Sequence, residues 1–295
     1  MSRKGILLAG GTGSRLGPLT AAVSKQLLPI YNKPMIYYPL SVLMLAGMRE
    51  ILVVTTPQDA TAFRRLLGSG RQWGLEFHYA VQHKPEGIAQ AIVIGAEFLA
   101  GSGCLLVLGD NIVYGHGLPA VLARSSADRS GATVLSARVQ MPERYGVVTF
   151  DGDGRPVSID EKPQRPASDW AVIGVYFYDG GVVDRAAGLK PSRRGEYEIT
   201  DLNNAYLAEG KLNVERLGRG AAWFDAGTCD SLLDASEFVG VIERRQRQLI
   251  ASPEEIAFNA GWIDRAELSR QAAVLAGSDY GRMLASLAER AEPAW

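Results

Sequence analysis

Cysteine and histidine are scarce in this sequence, and neither is placed for metal binding or nucleophilic catalysis. The two cysteines, Cys104 and Cys229, have no second cysteine or histidine near them at the spacing of a metal site. The three histidines, His78, His83 and His116, accompany no Gly-x-Ser-x-Gly elbow and form no acid/base pair with a nucleophile. These absences argue against a cysteine- or histidine-based metal site and against a serine hydrolase, and they favour a reducing setting such as the cytoplasm.

Long apolar runs and blocks of like charge are missing too. The longest apolar run, residues 35–48, contains Pro39 and falls short of the roughly 20 residues that a membrane span needs. The apolar pentad after Arg3 and Lys4 is too short for a secretory signal. Lysine and arginine number 31 against 32 acidic residues, which gives a net charge of −1. We therefore expect a cytoplasmic protein with no membrane and no nucleic-acid partner.

Glycine, in contrast, is concentrated where the first apolar run ends. The loop after residues 5–9 begins with Gly10, Gly11, Thr12 and Gly13. A glycine turn presents bare N–H groups, and Arg15 and Lys25 add positive charge, which together suit a polyphosphate. The loop matches neither the dinucleotide fingerprint, since Leu16 stands where a glycine is required, nor the P-loop. From this loop alone, a phosphate site and an ordinary turn both stay open.

Four apolar runs in the first 130 residues indicate buried strands. They span residues 5–9, 51–55, 77–81 and 104–108, and helical patterns separate them at residues 34–46, 59–67 and 88–99. Pro34 is expected in the first turn of the first helix. Such alternation favours a parallel sheet covered on both faces, with ligands beyond the carboxyl ends of its strands. The glycine loop, Gln82 and Asp110 follow strand ends and are expected to meet in one crevice.

The second half of the chain is richer in strands and turns. Strands are expected at residues 133–139, 146–150, 157–160, 171–178 and 211–217, with helices at 199–209, around 232–242 and from Ser252 onward. The predicted fold class is α/β: a mixed, mainly parallel, Rossmann-like central sheet with helices on both faces and a smaller β-rich part. One main domain over residues 1–250 is expected, with a nucleotide-binding half (about 1–130) and a second half (about 131–250), and a helical segment, 251–295, packed on it.

Two aspartates from distant parts of the chain follow predicted strands. Asp110 stands in Gly-Asp-Asn after residues 104–108, and Asp225 follows Ala-Trp-Phe. Magnesium is typically held by one or two carboxylates together with substrate phosphates, so this pair suits Mg²⁺. Alone, each aspartate is also typical of a turn or a helix cap.

Two other strand ends carry polar side chains that suit parts of a substrate. Lys162 follows Glu161; a solvated lysine is the usual interpretation, and the alternative is a clamp for a second anionic group, with Glu161 accepting hydrogen bonds from hydroxyls. Gln82, with Gly87 nearby, presents both a donor and an acceptor to the edge of a base.

An ordered set of motifs resembles the sugar-1-phosphate nucleotidyltransferases and, more narrowly, the short glucose-1-phosphate thymidylyltransferases of bacterial deoxysugar pathways. The motifs lie at residues 8–16, 25, 33–35, 109–111, 161–163, 195–202 and 225–228. The resemblance covers nearly the whole chain. It implies a homotetramer that converts dTTP and glucose 1-phosphate to dTDP-glucose and pyrophosphate, the first step of dTDP-deoxysugar biosynthesis, by Mg²⁺-dependent in-line attack on the α-phosphorus.

The resemblance also implies a role for each matching residue. Catalysis would fall to Arg15, Lys25, Asp110, Lys162 and Asp225, with Mg²⁺ on Asp110 and Asp225. The nucleotide would contact Gly10, Gly11, Thr12, Gly13, Gln26, Gln82 and Gly87. The sugar phosphate would contact Asn111, Gly146, Glu161, Lys162 and Val172. The second half of the main domain would then be its sugar-phosphate-binding half.

The sequence departs from the family's usual pattern near Trp223 and in the tail. Ala226 and Cys229 stand where threonine and histidine are common, and Asn259 stands where an arginine resembles part of a second, regulatory nucleotide-sugar site. We therefore expect weak inhibition by the end-product sugar nucleotide. The preferred sugar stays open, as do two alternatives: a UTP-using or relaxed nucleotidyltransferase, and a catalytically silent nucleotide-sugar-binding protein.

Overall fold

The computed structural model describes residues 3–11 and 13–290, and within these ranges it contains thirteen strands and eleven α-helices. In chain order the strands are β1 Lys4–Ala9, β2 Pro29–Ile30, β3 Lys33–Pro34, β4 Glu50–Thr55, β5 Glu76–Val81, β6 Cys104–Leu108, β7 Ile112–Gly115, β8 Ala132–Arg138, β9 Gly146–Phe150, β10 Pro156–Glu161, β11 Trp170–Tyr178, β12 Leu212–Arg216 and β13 Ala221–Phe224. The helices are α1 Tyr37–Leu45, α2 Ala60–Leu67, α3 Gln90–Ile94, α4 Ala96–Leu99, α5 Leu118–Ala127, α6 Val182–Ala187, α7 Ile199–Ala208, α8 Cys229–Gln246, α9 Pro253–Asn259, α10 Arg265–Val274 and α11 Asp279–Glu289.

Nine of the described strands form one mixed sheet. Its first part is parallel, in the order β5-β4-β1-β6. Strand β11 then runs antiparallel to β6, and it also pairs with β8 and, at Ala171, with β9. Strand β12 adds a parallel edge to β8, and β10 forms a hairpin with β9. The predicted mixed α/β fold is confirmed, and strands from before and after residue 130 contribute to the same sheet.

Helices cover both faces of this sheet. Along β1, side chains alternate between faces, so that Leu7 lies in one hydrophobic core and Ile6 and Leu8 lie in the other. Residues of α1, α9, α10 and α11 fill the first core, and residues of α3 and α7 fill the second. The helical tail is therefore part of the main core. Its first helix begins as predicted, because the Ser252 hydroxyl accepts the backbone N–H of Glu255 at 3.2 Å.

Two predictions about helices were wrong. Pro34 does not begin α1; it pairs with Pro29 in the short β2-β3 ladder, and the helix starts at Tyr37. Pro39 takes the early helical position instead, where the missing N–H has no intrahelical partner to lose. The helix expected over residues 88–99 is split at Gly95, which ends α3 and precedes α4, consistent with the low helix propensity of glycine.

A two-stranded ribbon places Asp225 next to the main sheet. Of its two strands, the sequence predicted only the one that precedes Asp225. Strand β13 pairs antiparallel with β7, with Trp223 opposite Val113 and Phe224 opposite Ile112. Continued by one residue, this register puts Asp225 opposite Asn111. The two aspartates are thus brought together by the pairing of β7 with β13, although β13 is not part of the main sheet. No helix in the described ranges has the length and apolar character to cross a membrane.

Candidate active site

A cavity of about 270 Å³ brings together half of the predicted site residues. It is lined by Arg15, Asp110, Asn111, Gly146, Glu161, Lys162, Val172 and Asp225. These side chains come from the glycine loop, the end of β6, the β9-β10 hairpin, β11 and the turn after β13. Residues from five stretches of sequence therefore face one another across one cleft.

Asp110 lies just beyond β6 and is held from two sides. Lys25 forms an ion pair with its Oδ2, and the Nδ2 of Asn111 donates to its Oδ1 at 3.0 Å. The side chains of Lys25 and Asp110 are 14% and 18% exposed, so the pair is only partly screened by water. Lys25 does not itself line the cavity, but it contacts Asp110, which does.

Asp225 is fixed by the segment before β9. The hydroxyl of Tyr145 donates to Asp225 Oδ2 at 3.0 Å, and Arg144 approaches the same oxygen at 3.3 Å. Burial, together with the charge of Asp225 and this hydrogen bond, raises the pKa of Tyr145 to about 12. The tyrosine therefore stays protonated at neutral pH and remains a donor to the carboxylate.

The glycine loop brings Arg15 beside the turn that carries Asp225. Gly11 and Gly13 have φ values of 98° and 60°, a conformation that side chains with a Cβ rarely adopt. The guanidinium of Arg15 lies so close to Gly227 that a Cβ at that position would be 2.8 Å from its Nη2. Thr12, which the sequence assigns to the nucleotide site, lies outside the described residues.

The opposite wall of the cavity is a network of acidic and basic side chains around Glu161. Thr200 Oγ1 donates to Glu161 Oε2 at 2.5 Å, and Arg194 bridges Glu161 and Glu198 at 3.2 and 2.8 Å. Burial opposes ionisation of Glu198, but hydrogen bonds from Arg194 and Ser192 outweigh it and lower the pKa of that carboxyl. Glu198 is therefore charged at neutral pH and keeps Arg194 aimed along the cavity wall.

Two residues with strained backbones border the cavity. Lys162 has a φ of 44° and Ala226, next to Asp225, has a φ of 29°, although neither is glycine. The backbone N–H of Lys162 is held by the carbonyl of Tyr145 at 2.9 Å. Strain of this kind persists where the surrounding structure fixes it and is common at functional sites. The Lys162 side chain is 47% exposed and lines the cavity, with its ammonium group 3.6 Å from Glu161 Oε1.

The remaining predicted nucleotide residues form a second cluster beside the cavity. Gln26 Nε2 donates to the Gly10 carbonyl at 3.1 Å, and Gln82 Nε2 donates to the Gly87 carbonyl at 3.2 Å. A Cβ at Gly10 would lie 2.8 Å from Gln82 Oε1, so the two are neighbours. Gln26 is 1% exposed and its amide is used within the loop, whereas no described residue donates to Oε1 of Gln82.

Several cavity residues have no counterpart among the predicted site residues. They are Ile88, Leu108, Arg144, Tyr145, Gly174, Tyr176, Arg194, Glu196, Glu198, Ile199, Thr200 and Trp223. Residues 195–202 formed one of the recognised motifs, and this signal could have identified Thr200 and Glu198. Arg144 and Tyr145 offered no comparable signal, because only the β7-β13 register and the β9-β10 hairpin bring them to Asp225.

The site offers a metal ion few protein ligands. In the described ranges, no three or more histidine, cysteine, aspartate or glutamate side chains are grouped to hold a metal ion. Asp110 and Asp225 nevertheless line the same cavity with hard carboxylate oxygens. A small divalent cation that takes most of its ligands from substrate phosphates and water fits this donor set better than an ion that needs a complete protein cage.

Comparison with known proteins agrees with this geometry. The family model described as "Nucleotidyl transferase" matches residues 4–241. The chain is 57% identical over 288 residues, 98% of each chain, to glucose-1-phosphate thymidylyltransferase of Xanthomonas campestris pv. campestris. It is 55% identical over 287 residues to the Mycolicibacterium smegmatis enzyme of the same name, which covers 97% of this chain and 99% of that protein.

Solved structures extend the comparison to the fold. A Bacillus anthracis structure in complex with sucrose, assigned to glucose-1-phosphate thymidylyltransferase, superposes with a TM-score of 0.75 at 40% identity, covering 80% of this chain and 95% of that one. A UDP-glucose pyrophosphorylase bound to UDP-glucose has a TM-score of 0.71 at 23% identity, covering 84% of this chain and 100% of that one, and shows the fold alone. The chain belongs to the nucleotidyl transferase family and, within it, to the glucose-1-phosphate thymidylyltransferases.

Proposed function

We propose that this protein transfers the thymidylyl group of dTTP to α-D-glucose 1-phosphate, giving dTDP-glucose and pyrophosphate. The observation that carries the proposal is that two different sides face each other across one cavity. One is the cationic side formed by the glycine loop, and the other is a second cationic side that can also bind hydroxyl groups. Two negatively charged substrates need two such sides. The names of the two relatives given above support the same reaction, and its product would supply dTDP-deoxysugar biosynthesis.

The nucleotide half of the site is built from the glycine loop and its neighbours. Arg15 and Lys25 would bind the triphosphate and stabilise charge that develops on it, aided by backbone N–H groups of the loop. Gln82 Oε1 is suited to accept the N3–H of thymine, with Gly10 and Gly87 packed against the base. Because the amide of Gln26 is used by Ser24 and Gly10, we propose that it shapes this loop indirectly.

The sugar-phosphate half is the network around Glu161. Lys162 and Arg194 would hold the phosphate of glucose 1-phosphate, and Glu161 would accept hydrogen bonds from sugar hydroxyls. Gly146 leaves room there, since a Cβ would be 3.0 Å from Thr200 Oγ1 and 3.5 Å from Glu161 Oε2. Asn111 and Val172 complete the proposed sugar wall.

The reaction needs no covalent intermediate on the protein. A phosphate oxygen of glucose 1-phosphate attacks the α-phosphorus of dTTP, the bond from that phosphorus to the bridging oxygen breaks, and pyrophosphate leaves with the electron pair. The attacking phosphate is already ionised at neutral pH, so no base has to activate it. Positioning by the two cationic sides and neutralisation of charge therefore supply the catalysis.

We propose Mg²⁺ as the divalent cation, held by Asp110 and Asp225. When bound there it would neutralise phosphate charge and help to orient the triphosphate. Lys25 and Asn111 orient Asp110, and Tyr145 and Arg144 orient Asp225, before any substrate arrives.

A pyrophosphate-release assay tests the proposal by crossing dTTP, UTP, CTP, ATP and GTP with several hexose 1-phosphates. We expect the highest kcat/KM for dTTP with glucose 1-phosphate. UTP lacks one methyl group, which is worth about 1–3 kcal/mol in an apolar pocket, so we expect it to be poorer by about 10- to 200-fold. A preference for a purine triphosphate would contradict the assignment, and no release with any triphosphate would favour a silent binding protein.

Three wider expectations stay predictions. We propose that residues 1–130 and 131–250 act as the nucleotide and sugar-phosphate halves, with 251–295 as a supporting helical segment. A homotetramer and a cytoplasmic location are also expected. Sedimentation measurements and cell fractionation would test the last two directly.

A further inference from the structure

The two proposed metal carboxylates are connected by one chain of contacts that passes through Trp223. The indole N–H of Trp223 donates to Asn111 Oδ1 at 2.7 Å, and Asn111 Nδ2 donates to Asp110 Oδ1 at 3.0 Å. On its other side the indole packs edge-to-face on Tyr145, with ring centroids 5.0 Å apart and planes at 65°. Tyr145 in turn donates to Asp225 Oδ2 at 3.0 Å.

The contacts that lead from Trp223 to Asp110 fix the direction of the Asn111 amide. Asn111 is 4% exposed, and its Oδ1 accepts both the Trp223 N–H and the Gly174 N–H, the latter at 2.9 Å. Rotating the amide by 180° would place its NH₂ group against these two donors. With the amide in its present orientation, Nδ2 has to face Asp110.

Gly174 lies at an irregularity in the pairing of its strand, β11. The pairing of β11 with β8 is irregular between Val172 and Tyr176, which frees the Gly174 N–H from the ladder. A Cβ at Gly174 would lie 2.7 Å from the Asn111 amide, so only glycine allows the approach. The Gly174 N–H uses only one lone pair of Asn111 Oδ1, and the Trp223 N–H uses the other.

The contacts that lead from Trp223 to Asp225 set the position of the Tyr145 ring. Asp225 receives the Tyr145 hydroxyl and the Arg144 guanidinium on the same oxygen, Oδ2. The indole of Trp223 lies against the tyrosine ring and restricts where its hydroxyl can point. Trp223 therefore contacts one neighbour of each carboxylate, while β13 places it only two residues before Asp225.

We propose that Trp223 is a positioning residue that sets the spacing of Asp110 and Asp225 for one divalent cation. The inference rests on the metal site of the proposed function. Side chains that orient metal ligands typically change metal affinity or activity by about 10- to 100-fold when they are removed. Trp223 acts here through Asn111 and Tyr145 and need not touch the ion.

The test compares Mn²⁺ binding by wild type and Trp223→Phe, followed by electron paramagnetic resonance with a non-hydrolysable α,β-methylene analogue of dTTP. Glucose 1-phosphate is left out, so that any direct contact between Trp223 and the sugar cannot contribute. Phenylalanine keeps an aromatic ring but removes the N–H. We expect Mn²⁺ affinity to fall about tenfold and the Mg²⁺ concentration for half-maximal turnover to rise by a similar factor.

A matched control is Trp170→Phe, since Trp170 is a half-buried indole at the start of β11 that does not line the cavity. It should leave Mn²⁺ binding unchanged. If Trp223→Phe lowers the melting temperature, 3-benzothienylalanine at position 223 keeps the shape of the indole without the N–H and gives the same reading.

The outcomes separate this inference from the proposed function. Asp225→Asn should abolish the enzyme-dependent Mn²⁺ signal; if it does not, the metal site itself is wrong. If Asp225→Asn removes the signal while Trp223→Phe and the benzothienyl variant bind Mn²⁺ like wild type, the positioning role is overturned and the metal site stands.

Discussion

The ammonium group of Lys25 forms an ion pair with the carboxylate of Asp110, across 85 residues of sequence. The pair joins the glycine loop to the end of β6, so the proposed triphosphate side of the site and a proposed metal ligand are electrostatically coupled. Both side chains are largely buried, at 14% and 18% exposed, which keeps this coupling strong at ordinary ionic strength.

Replacing Lys25 with glutamine should lower turnover about 100- to 1,000-fold, because a preorganised cation is lost where charge develops on the triphosphate. Steady-state pyrophosphate release with dTTP and glucose 1-phosphate measures the effect. Lys211→Gln is the matched control, since Lys211 is exposed and pairs with Glu209 away from the cavity. Equal turnover in the two variants would remove Lys25 from the triphosphate site.

Gly227→Ala should displace Arg15 without unfolding the protein. The added Cβ would meet Arg15 Nη2 at 2.8 Å, and that atom is the far end of a flexible side chain that can move away. We expect kcat to fall about tenfold or more while the melting temperature changes little. Gly218→Ala serves as control because a Cβ there meets no described atom within 4 Å. Unchanged kcat in Gly227→Ala would mean that Arg15 needs no fixed position.

Glu161→Gln should raise KM for glucose 1-phosphate and leave KM for dTTP within about twofold. A hydrogen bond to a charged group contributes about 1.5–3 kcal/mol, which corresponds to roughly 10- to 160-fold in affinity. Glu97→Gln, an exposed change on α4, is the control. A larger effect on dTTP than on the sugar phosphate would contradict the assignment of Glu161 to the sugar side.

The pH dependence of stability should change in Glu255→Gln. Burial raises the pKa of Glu255 from its ordinary 4.5 to about 7, an effect that Arg290 and Lys33 partly oppose. The folded protein therefore holds this proton more tightly than the unfolded chain, and the stability of wild type declines as pH rises from about 4.5 to about 7. The shift corresponds to about 3 kcal/mol.

Urea unfolding of wild type and Glu255→Gln at pH 5 and pH 8 measures this difference. The variant should gain stability relative to wild type at pH 8, by up to about 3 kcal/mol, and much less at pH 5. Glu237→Gln, on the exposed side of α8, should show no such pH-dependent gain. A pH-independent difference for Glu255→Gln would show that Glu255 does not titrate in this range.

Much of the fold could be predicted because its signals are local. The strands at residues 5–9 and 104–108 are continuous apolar runs, and the turn residues after them mark the ends where ligands gather. Asp110 follows one of these strand ends and lines the cavity, but its proposed role came from its pairing with Asp225 and from the family resemblance. The start of α1 was misplaced because Pro34 suits both a first helical turn and a short ladder, and only its pairing with Pro29 decides between them.

The supporting residues of the site could not be predicted in the same way. Trp223 and Asn111 are 112 residues apart, and their hydrogen bond depends on the register of β13 against β7. The contact of Tyr145 with Asp225 likewise spans 80 residues. Sequence patterns indicate which residue types follow a strand. Which side chains then contact those residues depends on the register between strands that are far apart in the sequence.

The central claim is that Asp110 and Asp225 bind one divalent cation that the transfer reaction requires. Its most direct test is the turnover of Asp225→Asn, with dTTP and glucose 1-phosphate saturating, across a Mg²⁺ titration. Asparagine matches aspartate in shape, so the melting temperature should stay close to that of wild type. We predict that turnover stays at least about 100-fold below wild type at every Mg²⁺ concentration; near-wild-type turnover at saturating Mg²⁺ would contradict the account.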